Sequence, residues 1–278
     1  MKIELGPHER LDDLILDGMK VIQRDDQFCF SIDTVLLAHF GAVPHGPALD
    51  LGTGTAAIPL ILTARGARDL TGIELNPVMA DIAGRNVALN GRDDRIRIVE
   101  GDYRRIREWA PSGAFAAVYA NPPYREKSRG AYSDVDGIRR ACHEETASLD
   151  DVLDAAKYAL KYHGRFRMVH ITERLTDILE ALRARDIEPK VLQMIHGRPD
   201  KEAKLFLIEG IHAEVKAFPS CRRSSSIRPM EAIVRPWIAY MEDKAVSFVS
   251  RLFSVKGVLC RKFFKRGRSI SARRRSAT

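Results

Sequence analysis

Ala48-Leu49-Asp50-Leu51-Gly52-Thr53-Gly54-Thr55-Ala56-Ala57-Ile58-Pro59 is the stretch that decides the fold. A short apolar run meets a glycine turn and then a helix start. Gly52 permits the tight turn, and Gly54 lets the backbone come close to a ligand. Outward from it, apolar runs at 48–51, 70–73, 96–99, 115–119, 165–169, 191–195 and 205–208 alternate with helical patterns near 56–65, 76–90, 148–162 and 172–185. Such alternation demands crossover connections. It predicts an α/β fold with a seven-stranded, mostly parallel sheet and helices on both faces. The last two runs have no helix between them and predict an antiparallel pair. Ser31 to Phe40 reads as a helix that Ser31 or Asp33 would cap. Residues 1–30 show little periodicity, and there is no internal repeat.

With 278 residues the chain has room for one or two domains. No apolar run approaches the roughly 18–20 residues that span a bilayer, and the first residues lack the apolar core of a secretion signal. Cys29, Cys142, Cys221 and Cys260 lie far apart with no CxxC pairing. Reduced thiols in the cytoplasm are therefore expected, with neither a disulfide framework nor a metal site. Charge is unevenly distributed. Residues 212–278 carry 16 Lys and Arg against four Asp and Glu, which leaves 29 basic and 33 acidic side chains in 1–211. Any electrostatic case for nucleic acid thus rests on the tail.

A second stretch concentrates the chemistry. The strand-like Phe115-Ala116-Ala117-Val118-Tyr119-Ala120 runs into Asn121-Pro122-Pro123-Tyr124. Two prolines cannot continue a sheet ladder, because they lack N–H donors and fix φ. The chain must leave the sheet there, holding Asn121 in a stiff loop at the strand's C-terminal end. Open α/β sheets place their ligands along that edge. An amide oxygen, a proline carbonyl and an aromatic ring suit the grip of a planar amino group: the oxygens accept its two N–H bonds and the ring stacks on its plane.

Acids end three successive strands. Gly52, Gly54 and Ala57 also satisfy a dinucleotide-binding pattern, but Asp50 just before the turn would repel a pyrophosphate and suits a cationic amino-acid moiety. Glu74 can accept two ribose hydroxyls, and Asp102 an adenine amino group. Each acid alone could be a helix N-cap. Together with the turn glycines they describe a pocket for S-adenosylmethionine.

These residues resemble the class I S-adenosylmethionine-dependent methyltransferases, which implies a Rossmann-like fold. The Asn-Pro-Pro-Tyr motif is similar to that of enzymes acting on amino groups of adenine, cytosine or a glutamine amide. Phe28-Cys29-Phe30-Ser31-Ile32-Asp33-Thr34-Val35-Leu36-Leu37 resembles a cofactor-contacting motif, which implies cofactor roles for Phe30, Ser31 and Asp33 beside Asp50, Gly52, Gly54, Glu74, Asp102 and Asn121. Arg139-Arg140-Ala141-Cys142-His143-Glu144, Arg167-Met168-Val169-His170-Ile171-Thr172-Glu173-Arg174-Leu175 and Leu207-Ile208-Glu209-Gly210 resemble the bacterial tRNA1(Val) adenine-N6 methyltransferases over roughly residues 10–211. The resemblance implies Asn121, Pro122 and Tyr124 as catalytic residues, and Pro123, Tyr124, Arg140 and His143 as substrate contacts. It also implies an RNA partner, a tRNA(Val) adenine near the anticodon, with a monomer expected. His143 and His170 are read as positioning residues rather than bases. Ala56 departs from the family, where a third glycine is usual.

The residues leave other readings open. These are a ribosomal-RNA base methyltransferase, a glutamine methyltransferase acting on release factors, a nicotinamide-dependent oxidoreductase and a non-catalytic RNA-binding module. Only 47 residues precede Ala48, short for the helical domain that the glutamine enzymes look to need.

Domain 1–211 is followed by a basic tail, 212–278, expected to be disordered. In the resembling family the chain after this point ends in a pattern like DG.YSP.V..LYG. Read in a frame shifted by two bases, Met230-Glu231 must encode Gly, Trp237-Ile238 Asp and Met241-Glu242 Gly. With permitted codons, Arg222 to Glu242 encodes PLVVYPTDGSYSPAVDRLYG. The tail is therefore read as an out-of-frame translation, set against a genuine RNA-binding arm.

Overall fold

The computed structural model describes residues 4–27, 29–124, 148–197, 200–213 and 220–221. These lie in the first of two units into which the chain divides, Met1–Met230. The remainder of the tail, with Arg140 and His143, falls outside the described residues.

The glycine stretch folds as read. Strand β3 (Ala48–Leu51) is buried throughout and gives way to helix α2 (Ala57–Ala64). Strands β4 (Leu70–Glu74), β5 (Ile96–Glu100), β6 (Phe115–Ala120), β7 (Leu160–Ile171), β8 (Ile187–His196) and β9 (Ala203–His212) follow. Between them run α3 (Pro77–Leu89), α4 (Leu149–Ala159) and α5 (Leu175–Arg183), with α1 (Ile32–His39) ahead of β3. The sheet order is β8-β9-β7-β6-β3-β4-β5, parallel from β7 to β5 and antiparallel at β7/β9 and β8/β9. An eighth strand, the two residues Ser220–Cys221 (β10), pairs parallel with β8. It lies within the stretch read as a disordered tail.

Three expectations need correction. Helix α4 stops at Ala159 rather than 162, because Leu160 pairs with Phe115 and buries in the core. His163, at φ 59°, then turns the chain before it rejoins β6 at Arg165. Helix α1 forms without a side-chain cap at Ser31, whose hydroxyl is buried with no hydrogen-bond partner. Asp33 turns to Tyr124 instead.

The third correction is the apparently featureless N-terminus, which holds an antiparallel hairpin, β1 (Glu9–Asp13) with β2 (Lys20–Arg24). Helix α3 holds it with two asparagines one turn apart. Asn86 accepts from the Ile22 amide (2.6 Å) and donates to the Ile22 carbonyl (3.1 Å). Asn90 does the same for Lys20, at 3.0 and 2.7 Å. Each side chain thus stands in for the next strand of a ladder. Ile22 packs on Met79 and Ile82, and Arg85 grips Glu9 at 2.7 and 2.8 Å.

One row crosses the sheet in register: Gly72, Asp50, Tyr119, Arg167 and Glu209. Arg167 is fully buried, yet its donors reach Glu209 (2.7 Å), the Ala42 carbonyl (2.7 Å) and the Tyr119 hydroxyl. A buried guanidinium needs partners of this kind to offset its desolvation. A side chain at Gly41 would strike that guanidinium at 2.8 Å, so the loop after α1 is shaped around the ion pair.

Candidate active site

The strands β3, β4 and β6 end side by side, and the residues singled out in the sequence gather on the loops that leave them. At the glycine turn, Gly52 and Gly54 have φ of 71° and 56°, and a Cβ at either position would point into open space. The turn can thus be approached closely by a ligand. Ala56 also sits in the left-handed region, at φ 61°, fully buried at the start of α2. Glycine suits such a backbone better than alanine, so the family's usual residue has a steric reason here.

Asp50 is 3% exposed, and one of its oxygens accepts from the Thr53 hydroxyl at 2.7 Å. Its other oxygen is buried without a partner. Burial pushes the carboxyl up to about 7, against the Thr53 hydrogen bond, and the nearby Glu74 charge pushes the same way. Asp50 is therefore an acceptor in want of a cation. Two further buried hydroxyls, Ser31 and Thr55, also lack partners. The unfilled acceptors and the open glycine face fit the methionine moiety of S-adenosylmethionine.

Glu74 ties the turn together. Its oxygens accept from the backbone amides of Gly54 (2.8 Å) and Asn76 (3.0 Å). Burial raises its pKa and these backbone bonds oppose the rise. A carboxylate oxygen takes a second hydrogen bond, so ribose hydroxyls can still be accepted. Asp102 is engaged differently. It caps the short helix that follows β5, accepting from the Arg104 amide (2.9 Å), and Arg104's guanidinium grips both its oxygens at 2.5–3.0 Å. Arg104 holds the carboxyl below its usual range. The adenine contact read for Asp102 requires that guanidinium to give way.

Asn121 stands at the end of β6, where the sequence placed it. Its amide nitrogen donates to Thr34 on α1 (3.1 Å), which directs its oxygen towards Tyr124. The Tyr124 hydroxyl lies 3.2 Å from that oxygen and 2.6 Å from an Asp33 oxygen. Burial, and then Asp33, push the Tyr124 hydroxyl far above its ordinary pKa, so it keeps its proton. His170, at the end of β7, meets the Tyr124 ring edge-on, with centroids 5.3 Å apart and planes at 61°. Its Nδ1 accepts from the Ile171 amide at 2.9 Å, and burial lowers its pKa to about 4. The imidazole is neutral with its proton on Nε2.

The structure thus brings Asp50, Glu74, the glycines, Asn121 and Tyr124 to one sheet edge, with Ser31 and Asp33 on the neighbouring α1. Phe30 donates its amide to Gln23 (3.0 Å) on β2. Sequence reading missed Thr34 as the partner of Asn121 and Asn86 as a partner of the turn, where it donates to the Thr55 carbonyl at 3.0 Å. A polar residue on the otherwise apolar face of each helix was the available signal.

Residues 48–132 match a family model described as a methyltransferase domain. Over residues 48–132 the chain carries a methyltransferase domain. The acid-lined glycine turn, with the unfilled Asp50 oxygen, is where S-adenosylmethionine fits. A Porphyromonas gingivalis tRNA1(Val) (adenine(37)-N6)-methyltransferase is 31% identical over 173 residues, covering 61% of this chain and 66% of the relative. The chain thus spans just under two thirds of that relative. A Photobacterium profundum protein of the same name is 24% identical over 202 residues, covering 70% of this chain and 83% of its own. Two solved structures share the fold. A predicted O-methyltransferase from Agrobacterium tumefaciens has a TM-score of 0.53 at 23% identity, over 68% of this chain and 85% of its own. P. horikoshii TYW2 in complex with MeSAdo has a TM-score of 0.53 at 13% identity, over 75% and 73%. Among the described residues of the methyltransferase domain, no helix is long and apolar enough to cross a membrane. None of its described His, Cys, Asp and Glu side chains cluster in threes to hold a metal.

Proposed function

We propose that the domain transfers a methyl group from S-adenosylmethionine to the exocyclic N6 amine of an adenine in RNA, a tRNA(Val) adenine near the anticodon, in the cytoplasm. The observation that carries the reading is the orientation of Asn121. Its nitrogen meets Thr34 and its oxygen faces the Tyr124 hydroxyl, at the end of the strand that pairs with β3. The relatives' names supply the substrate class.

An aromatic amine is a poor nucleophile because its lone pair is delocalised into the ring. Asn121 Oδ1 and the Pro122 carbonyl accept its two N–H bonds, which favours a pyramidal nitrogen with the lone pair free. Asp50 binds the cofactor's ammonium, and Glu74 orients its ribose. The bound cofactor would supply an electrophilic methyl group and leave as a neutral thioether, while the amine gives one N–H proton to water. Tyr124 stacks on the base, Pro123 lines its approach, and Arg140 and His143 contact the RNA. The base must leave its own stack to enter. Catalysis then comes from orientation and from oxygens facing the developing positive charge, with no strong base required.

Mass spectrometry of tRNA nucleosides from cells with and without this gene tests the reading. Loss of one N6-methyladenosine is expected on deletion. An unchanged nucleoside profile contradicts it.

A further inference from the structure

The Tyr124 hydroxyl has one proton and two acceptors in reach: an Asp33 oxygen at 2.6 Å and the Asn121 amide oxygen at 3.2 Å. The shorter contact is to a carboxylate, and a charged acceptor makes the stronger hydrogen bond. The proton therefore lies towards Asp33, and the hydroxyl turns a lone pair towards Asn121. The direction matters, because Asn121 Oδ1 is the atom read as receiving the substrate's N–H. A tyrosine proton pointed at it would occupy one of its acceptor positions and draw electron density from the other.

We propose that Asp33 is a positioning residue of the methyl-accepting site. By accepting the Tyr124 hydroxyl's hydrogen bond it leaves the Asn121 oxygen open for the substrate amine. This inference rests on the methyl transfer proposed above, and it gives Asp33 a task other than cofactor contact. The surrounding geometry serves the same end. Thr34, the next residue of α1, accepts from the Asn121 nitrogen at 3.1 Å. His170 bears edge-on against the tyrosine ring and fixes the plane in which the hydroxyl can swing. One turn of α1 thus sets both ends of the Asn121 amide: Thr34 fixes its nitrogen, and Asp33 clears its oxygen.

The test is a set of variants assayed with S-adenosylmethionine and an unmodified tRNA(Val) transcript, with cofactor affinity measured by calorimetry and folding by thermal melting. D33A lets the tyrosine proton turn to Asn121, so kcat should fall about 10- to 100-fold, the scale of losing one preorganised hydrogen bond at a reacting centre. Cofactor affinity should stay within a few-fold. D33N keeps an acceptor oxygen and should retain more activity than D33A. Adding Y124F to D33A removes the competing proton and keeps the ring, so the double variant should be faster than D33A. A double variant no faster than D33A overturns the inference, as does D33N no faster than D33A. A loss of cofactor affinity in D33A comparable to that in D50A returns Asp33 to the cofactor site and also overturns it. Failure of the wild-type protein to methylate any adenine-containing RNA would instead refute the proposed function.

Discussion

Asp50 shows how one residue carries both a cost and a function. A buried carboxyl raised to about 7 holds its proton more tightly in the folded than in the unfolded chain, where its ordinary value is 3.8. The contribution of this group to stability therefore falls as pH rises between those values and stays low above them. A bound ammonium reverses the preference and drives the proton off. Near pH 6, calorimetry in buffers of different ionisation enthalpy should record release of about one proton per cofactor from this site. D50N should abolish that release and weaken cofactor binding. It should also raise the melting temperature of the cofactor-free protein above pH 7, since an unpaired buried charge is gone. Equal proton release in D50N would place the titrating group elsewhere. Ala56 carries a smaller cost of the same kind. A non-glycine residue in the left-handed region costs roughly 1–2 kcal/mol, partly offset by the chain entropy that glycine loses on folding. A56G should stabilise the domain by about 0.5–1 kcal/mol in a denaturant titration.

The elements were legible where the sequence signal was local. The glycine turn, the double proline after β6 and the short apolar runs each carry a steric reason, and the strands and the sheet edge follow. The β1–β2 hairpin was not legible, because what holds it is distant in sequence. Its ladder is continued by Asn86 and Asn90, more than sixty residues away, which read as two polar residues in a helix. The prediction at this scale concerns that joint. Asn86 is fully buried and bonds the Ile22 amide and carbonyl and the Thr55 carbonyl. N86A leaves all three unsatisfied, each costing about 1–3 kcal/mol, so a loss of about 3 kcal/mol or more is expected in chemical denaturation. Hydrogen exchange should quicken at Ile22 first. An unchanged midpoint would mean that the hairpin is not held by this side chain.

Across the whole molecule, the ion pair of Arg167 with Glu209 joins the parallel half of the sheet to its antiparallel end. Both residues lie in stretches that the sequence reading compared with the tRNA methyltransferases. In the structure they serve the scaffold, so sequence resemblance alone could not separate them from site residues. Removing one member of a buried pair costs about 3–5 kcal/mol. E209A should lose that much stability while keeping cofactor affinity wherever it remains folded. The tail belongs to the same scale. Within the described residues it supplies the last residue of β9, His212, and the strand Ser220–Cys221 at the sheet edge. We infer that the frame changes near residue 212, which the nucleotide sequence can decide: a stop codon in the shifted frame before the position of Glu242 would exclude it. RNA affinity then has to come from the slightly acidic domain that surrounds Asn121, so the account stands or falls on that residue. The most direct measurement is methyl transfer to an unmodified tRNA(Val) transcript by wild type and N121A, with cofactor affinity measured on the same preparations. N6-methyladenosine is expected from wild type, no detectable product from N121A, and cofactor affinities within a few-fold of each other. Turnover by N121A, or a methyl group found on another atom, would contradict it.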